Sequence, residues 1–135
     1  MNGGRQKDVV LILARELASN IATPMLVLDH NGTLVYFNEP AEEVMGAPFA
    51  TVGEIPATSW DEQWPTFDEH GVEISLLESP LARCITEQQP EHQVILVTGK
   101  DNVKRRIFTT AYPLFGSTRR FVGAVAVFWQ EDEGT

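Results

Sequence analysis

The chain has 135 residues and a mass of 15.0 kDa, enough for one domain that buries roughly two-thirds of its unfolded surface and too short for a two-domain enzyme. Its 43% hydrophobic, 21% charged and 9% aromatic residues match an ordinary globular protein and exclude disordered, collagen-like and low-complexity chains. Nineteen Asp and Glu against ten Lys and Arg leave a net charge of -9 and a pI near 4.7, which opposes binding to nucleic-acid phosphates.

The segment from Lys7 to Asn20 places Val9, Val10, Leu13, Leu17 and Ile21 at helical spacing, with Asp8 as its cap and Arg15 and Glu16 on another side. This predicts an amphipathic helix, and its charged flanks do not read as a signal peptide. Pro24 ends it. Met25 to Asp29 is then an apolar run of strand length, His30-Asn31-Gly32 supplies a tight turn, and Thr33 to Phe37 is rich in β-branched and aromatic residues, so a hairpin follows. Asn38 to Gly46 holds a capping Asn, acids and Pro40 in the first turn, and a terminal Gly, which predicts one short helix. From Ala47 to about Ser75 three prolines and two glycines break any period, and Trp60, Trp64 and Phe67 anchor an irregular, locally helical connection.

Ser79-Pro80 then opens a helix to Glu87 with Leu81, Cys84 and Ile85 on one face. His92 to Val97, Val103 to Leu114 and Arg119 to Gln130 read as three strands of an antiparallel meander. In the last of these Val122, Ala124, Ala126 and Phe128 point one way, and Phe121, Gly123, Val125, Val127 and Trp129 the other. A strand apolar on both faces needs a cover on each. The central helices can supply one and the N-terminal helix, of this chain or of a second copy, the other. Burying several hundred square ångströms at about 25 cal/mol per Å² is worth several kcal/mol.

Asp29-His30-Asn31-Gly32-Thr33-Leu34-Val35-Tyr36-Phe37-Asn38, continuing through Ala41 to Met45-Gly46, resembles the opening signature of the PAS family. Phe67-Asp68-Glu69-His70-Gly71, Ser79-Pro80-Leu81-Ala82-Arg83, Tyr112-Pro113-Leu114 and Arg120 to Phe128 extend the likeness over about residues 20–131. The resemblance implies an α+β fold: a five-stranded antiparallel sheet with short helices on one face, preceded here by the amphipathic helix. It divides the chain into that helix (1–22), the PAS domain (23–131) and an acidic tail (132–135). It also implies a non-enzymatic sensory and protein-interaction module, either a stand-alone regulator or a fragment of a larger one, with Met1 favouring a natural N-terminus.

Members of that family bind haem, flavin, small metabolites, lipids or nothing. Photoactive flavin members carry an Asn-Cys-Arg-Phe-Leu-Gln block that this chain lacks, and Cys84 lies on the later helix between Arg83 and Ile85. A lone cysteine on an apolar helix face reads as a core residue; it excludes an internal disulfide and a cysteine-based zinc cage, and fits a cytoplasmic setting. Haem needs an axial ligand, and His30, His70 and His92 fall in a turn, a loop and a strand start; His92 or Met45 is the unconventional alternative. Asp68-Glu69-His70 point in different directions and make no metal site. No glycine elbow or phosphate loop supports catalysis, and no apolar run approaches the roughly 20 residues that cross a bilayer.

The charge is segregated. Thirteen acids and one base lie between Asp29 and Glu91, whereas Lys100, Lys104, Arg105, Arg106, Arg119 and Arg120 cluster in the meander. They serve internal balance, or dock an acidic partner. No cofactor is expected. Alternation and helical facing assign Met45, Trp60, Leu77, Leu81, Cys84, Ile85, Ile95, Phe108, Val125 and Val127 to a pocket for a small apolar ligand, such as a fatty acid or aromatic metabolite. Val9, Val10, Leu13, Leu17, Val122, Ala124, Ala126 and Phe128 are left for a homodimer interface. A haem- or flavin-binding redox or gas sensor is the alternative function.

Overall fold

The computed structural model describes residues 9–75 and 79–130, so Asp8, Leu77 and the acidic tail lie outside the described residues. Helix α1 spans Val9–Ala18. It leads into the hairpin of β1 (Met25–Asp29) and β2 (Leu34–Phe37). The turn closes because Asp29 Oδ1 accepts from Asn31 N and Thr33 N at 2.9 and 3.1 Å while Gly32 takes a φ of +84°.

Asn38 caps a 3₁₀ turn (Glu39–Ala41) that runs into α2 (Glu42–Met45), which ends on Gly46 in the left-handed region. Short helices α3 (Phe49–Val52) and α4 (Trp60–Gln63) follow. Two short strands come next, β3 (Thr66–Asp68) and β4 (Glu73–Ile74). Helix α5 (Pro80–Glu87) is capped by the Ser79 hydroxyl, which accepts from Ala82 N. The long meander of β5 (Glu91–Thr98), β6 (Lys104–Phe115) and β7 (Phe121–Gln130) completes the chain.

The architecture is α+β, as expected, but the sheet has seven antiparallel strands in the order β2-β1-β7-β6-β5-β3-β4 rather than five. The two extra strands are the β3–β4 hairpin, in a stretch whose prolines and glycines suggested irregular chain. Asp68 Oδ1 ties that turn by accepting from His70 N and Val72 N, both at 2.9 Å, so turn chemistry makes a strand pair where no alternation announces one.

The sheet separates two apolar clusters. On its inner face α2, α4 and α5 pack Val44, Met45, Trp60, Trp64, Leu81 and Cys84 against Leu26, Leu28, Ile95, Val97, Ile107, Ala124, Ala126 and Phe128. On its outer face α1 packs Leu11, Ala14 and Ala18 against Met25, Val27, Val35 and Val125, with Val127 and Leu114 at the edge. Both faces of β7 are therefore covered within one chain. Gly123 is required where β7 crosses β1, because a Cβ there would stand 2.1 Å from Leu28 O and 3.1 Å from the Leu11 side chain.

Two assignments change. The β7 faces are exchanged: Ala124, Ala126 and Phe128 belong to the inner, helix-covered side, and Val125 and Val127 to the α1 side. Small residues at 124 and 126 let the helices approach, and size rather than alternation decides the side. Val122, Ala124, Ala126 and Phe128 are at most 2% exposed, so they offer no surface to a second copy. Helix α1 also turns an unexpected side inward. Leu11, Ala14 and Ala18 contact the sheet, while Val9, Leu13 and Leu17 face outward at 57 to 66% exposure.

Candidate functional site

A cavity of about 40 Å³ lies between the central helices and the sheet. Met45, Trp60, Leu81 and Ile95, assigned to it from the sequence, line it; so do Leu26, Val44, Val97, Ile107, Thr66, Ser79, Thr109 and Asp61, which were not assigned to it, and Phe128, which was assigned to the dimer interface. Cys84 is buried in the same core and Ile85 packs at its border, but neither reaches the cavity wall. Phe108 stands on the opposite face with Val125 and Val127, where its ring stacks on Trp129 at 6.2 Å. Of the residues missed, Phe128, Thr109 and Ile107 belong to the set that the exchanged β7 parity hides. Phe128 pairs with Thr109, and Thr109 alternates with Ile107 and Ala111, so a correct side for one strand would have given the others.

The polar groups around this core are unequally provided. Asn38, 1% exposed, is fully used: its amide nitrogen donates to Ala18 O and Thr23 O at 2.9 and 2.8 Å, and its Oδ1 accepts from Met25 N and Ala41 N. One buried side chain thereby pins the end of α1 to β1 and to the turn that opens α2. Trp64 Nε1 donates to Met45 O at 2.9 Å. Trp60 Nε1 and Thr109 Oγ1, both on cavity-lining residues, have no hydrogen-bond partner among the described residues. Burial without a partner costs such groups about 1–3 kcal/mol each.

An unbroken run of aromatic contacts connects the cavity to α1. Trp60 and Trp64 stand 5.1 Å apart, Phe37 meets Trp64 at 6.3 Å, and Phe49 meets both Phe37 and Tyr36 at 5.3 Å. The Arg15 guanidinium, on α1, lies 4.7 Å over the Tyr36 ring and 5.7 Å from that of Phe49. Displacing the α4 tryptophans therefore disturbs side chains that hold α1.

The outer face is less finished. Helix α1 covers β1, β2 and β7, and the far half of the sheet carries half-buried Val94 and Phe108 and exposed Tyr112 and Trp129, the last two at 45 and 50% exposure. Val94, Phe108 and Trp129 form one cross-strand row by register. The basic meander is largely engaged within the chain. Arg105 bridges Asp101 at 2.8 Å, Arg106 approaches Glu69 at 3.8 Å, and Lys104 sits 3.9 Å over Phe67. The Arg105 guanidinium holds the Asp101 carboxyl below the usual carboxylate range.

Among the described residues no cluster of three His, Cys, Asp or Glu could hold an ion, and no helix is long and apolar enough to cross a membrane. Flavin and haem do not fit the residues present. Cofactor-sized pockets run to about 300–1,000 Å³, far above this cavity. No histidine lines it, and burial with the neighbouring Glu91 carboxylate pushes the Cys84 thiol up to about 11, away from the reactive thiolate.

No family model matches the sequence and no curated protein matches it. Solved structures do. A PAS domain from Colwellia psychrerythraea superposes with a TM-score of 0.62 at 17% identity, over 90% of this chain and 97% of its own. The PAS domain of the fruit-fly ELK potassium channel gives 0.70 at 9% identity over 91% and 98%. A fungal LOV-domain photoreceptor gives 0.61 at 16% identity over 97% and 99%. The expected fold is confirmed by these superpositions: the chain has the PAS fold.

Proposed function

We propose that this chain is a non-enzymatic, cytoplasmic sensory and protein-interaction module that holds a small ligand in its core and pairs with a second copy through its outer surface. One observation carries the reading. Helix α1 docks with Leu11 and two alanines and turns Val9, Ile12, Leu13 and Leu17 outward, on the same side of the sheet as exposed Tyr112 and Trp129. A helix with its larger apolar residues on the wet side is built for a second contact. Six such side chains offer on the order of 600 Å² per copy at about 100 Å² each, close to the ~800 Å² per partner of a standard interface. The aromatic run and Asn38 support α1 as the element through which a change in the core is reported, since both join it to the helices around the cavity.

Sedimentation equilibrium at micromolar concentration tests the pairing. The expected mass is twice 15.0 kDa. The double substitution Leu13→Glu, Leu17→Glu should return it to a folded single chain with an unchanged far-ultraviolet circular-dichroism spectrum, because both residues are exposed within one chain. The concentration dependence of its thermal midpoint should disappear. A single chain at every concentration would overturn the pairing.

A further inference from the structure

We propose that the cavity selects a neutral, mostly apolar molecule of about three to five non-hydrogen atoms that carries one hydrogen-bond acceptor, a simple ketone, aldehyde or alcohol, held by Trp60 and Thr109. The inference deepens the ligand-binding part of the function proposed above and rests on it. Three features of the site narrow the chemistry.

The first is the pair of unpartnered groups. Trp60 is 7% exposed and Thr109 4%, and the indole Nε1 and hydroxyl Oγ1 find no hydrogen-bond partner among the described residues. An indole N–H only donates, and a threonine hydroxyl donates or accepts, so the one ligand group both can address is an acceptor. Phenylalanine and valine would occupy nearly the same space without the stability cost of unpaired polar atoms. The two side chains therefore suit a bound state better than the free one.

The second is charge. Among the described residues the lining contains no cation, and Asp61, its charged member, is exposed at the rim. A carboxylate entering there would leave its solvation with no cation among those residues to compensate it. Fatty acids, admissible on apolarity alone, are thereby disfavoured, and a neutral head group is selected.

The third is size. A single water needs at least about 10–15 Å³ of such space and an apolar cavity of about 150 Å³ accepts benzene, so 40 Å³ lies between the two and limits a ligand to a few non-hydrogen atoms. The remaining wall is Leu26, Val44, Leu81, Ile95, Ile107 and Phe128, which suits a short hydrocarbon body. A four-atom ligand is limited to tens of micromolar at the very best, so binding is to be sought up to millimolar concentrations.

Three molecules of nearly one shape make the test: acetone, acetate and isobutene, titrated into the full chain while the indole N–H resonances are followed. The Trp60 signal is identified by its loss in Trp60→Phe. Acetone should shift that signal saturably, acetate should not, and isobutene should bind at least fivefold more weakly. In Trp60→Phe, read on the neighbouring Trp64 indole, and in Thr109→Val, acetone affinity should fall at least fivefold and isobutene affinity stay within twofold; that unchanged isobutene binding shows the cavity intact. Equal affinities for acetone and isobutene, acetate binding as tight as acetone, or no saturable shift with any of the three would each overturn the inference. Native mass spectrometry of the protein as expressed separates this from the broader reading. A larger retained molecule, with acetone not preferred, sinks the ligand class and leaves ligand binding standing.

Discussion

Both flanks of the sheet carry helices, yet the two are covered to different extents and by opposite means. The inner flank is sealed by short helices that insert large side chains, Trp60, Trp64 and Leu81, beside Phe37, and it buries them almost completely. The outer flank is closed by one ten-residue helix whose contact surface is a leucine and two alanines, while four larger apolar residues of that helix face away. Contact area is what stabilises at about 25 cal/mol per Å², so the inner flank holds the fold and the outer one is the more readily undocked. A weakly docked helix tied to the core by Arg15 and Asn38 is placed to respond to that core and to meet a partner.

The largest expected contrast comes from truncating the inner flank. Trp64→Ala removes a side chain that is 1% exposed and a hydrogen bond to Met45 O. It should cost about 3–5 kcal/mol in urea unfolding, whereas Leu13→Ala on the outer side of α1 should stay within about 0.5 kcal/mol. Equal losses would erase the distinction between the flanks.

A second measurement uses pH. The Cys84 thiol titrates near 9.0 in the unfolded chain and at about 11 in the folded one. Between those values the unfolded chain loses its proton first, so stability falls as pH rises, by up to about 1.4 kcal/mol per pH unit. Below pH 9 the group contributes no slope. Cys84→Ala should flatten that alkaline decline; an unchanged slope would mean the thiol is not sealed in the inner core. The smallest effect belongs to the link between flanks. Arg15→Met keeps the apolar stem but removes the cation over Tyr36 and Phe49, and should cost about 0.5–2 kcal/mol. It should also speed hydrogen exchange in α1 more than in β7. Uniform acceleration would argue that α1 is not separately anchored.

Much of the fold was legible because its signals are local. Asp29 with Gly32, Asn38 with Gly46, and Ser79 each satisfy a turn or a helix end within a few residues of themselves, and each does so in the structure. The pocket was only half legible. Met45, Trp60, Leu81 and Ile95 were placed by helical facing and strand alternation, but Phe108, Val125 and Val127 fell on the wrong side. Alternation divides a doubly apolar strand into two sets without saying which set meets the helices. Helix α1 failed for the same reason: apolar residues nearly all round leave its periodicity without a preferred face.

The sequence alone determined where elements start and stop and that both faces of β7 need a cover, since capping, turn chemistry and apolar alternation act over a few residues. Only the tertiary structure decided which face is which, because that choice depends on how closely two surfaces can approach. Alanines at 14 and 18 admit α1 to the outer face, and alanines at 124 and 126 admit the helices to the inner one. Steric fit between segments about a hundred residues apart is a property of the packed molecule and leaves no periodic mark in the chain.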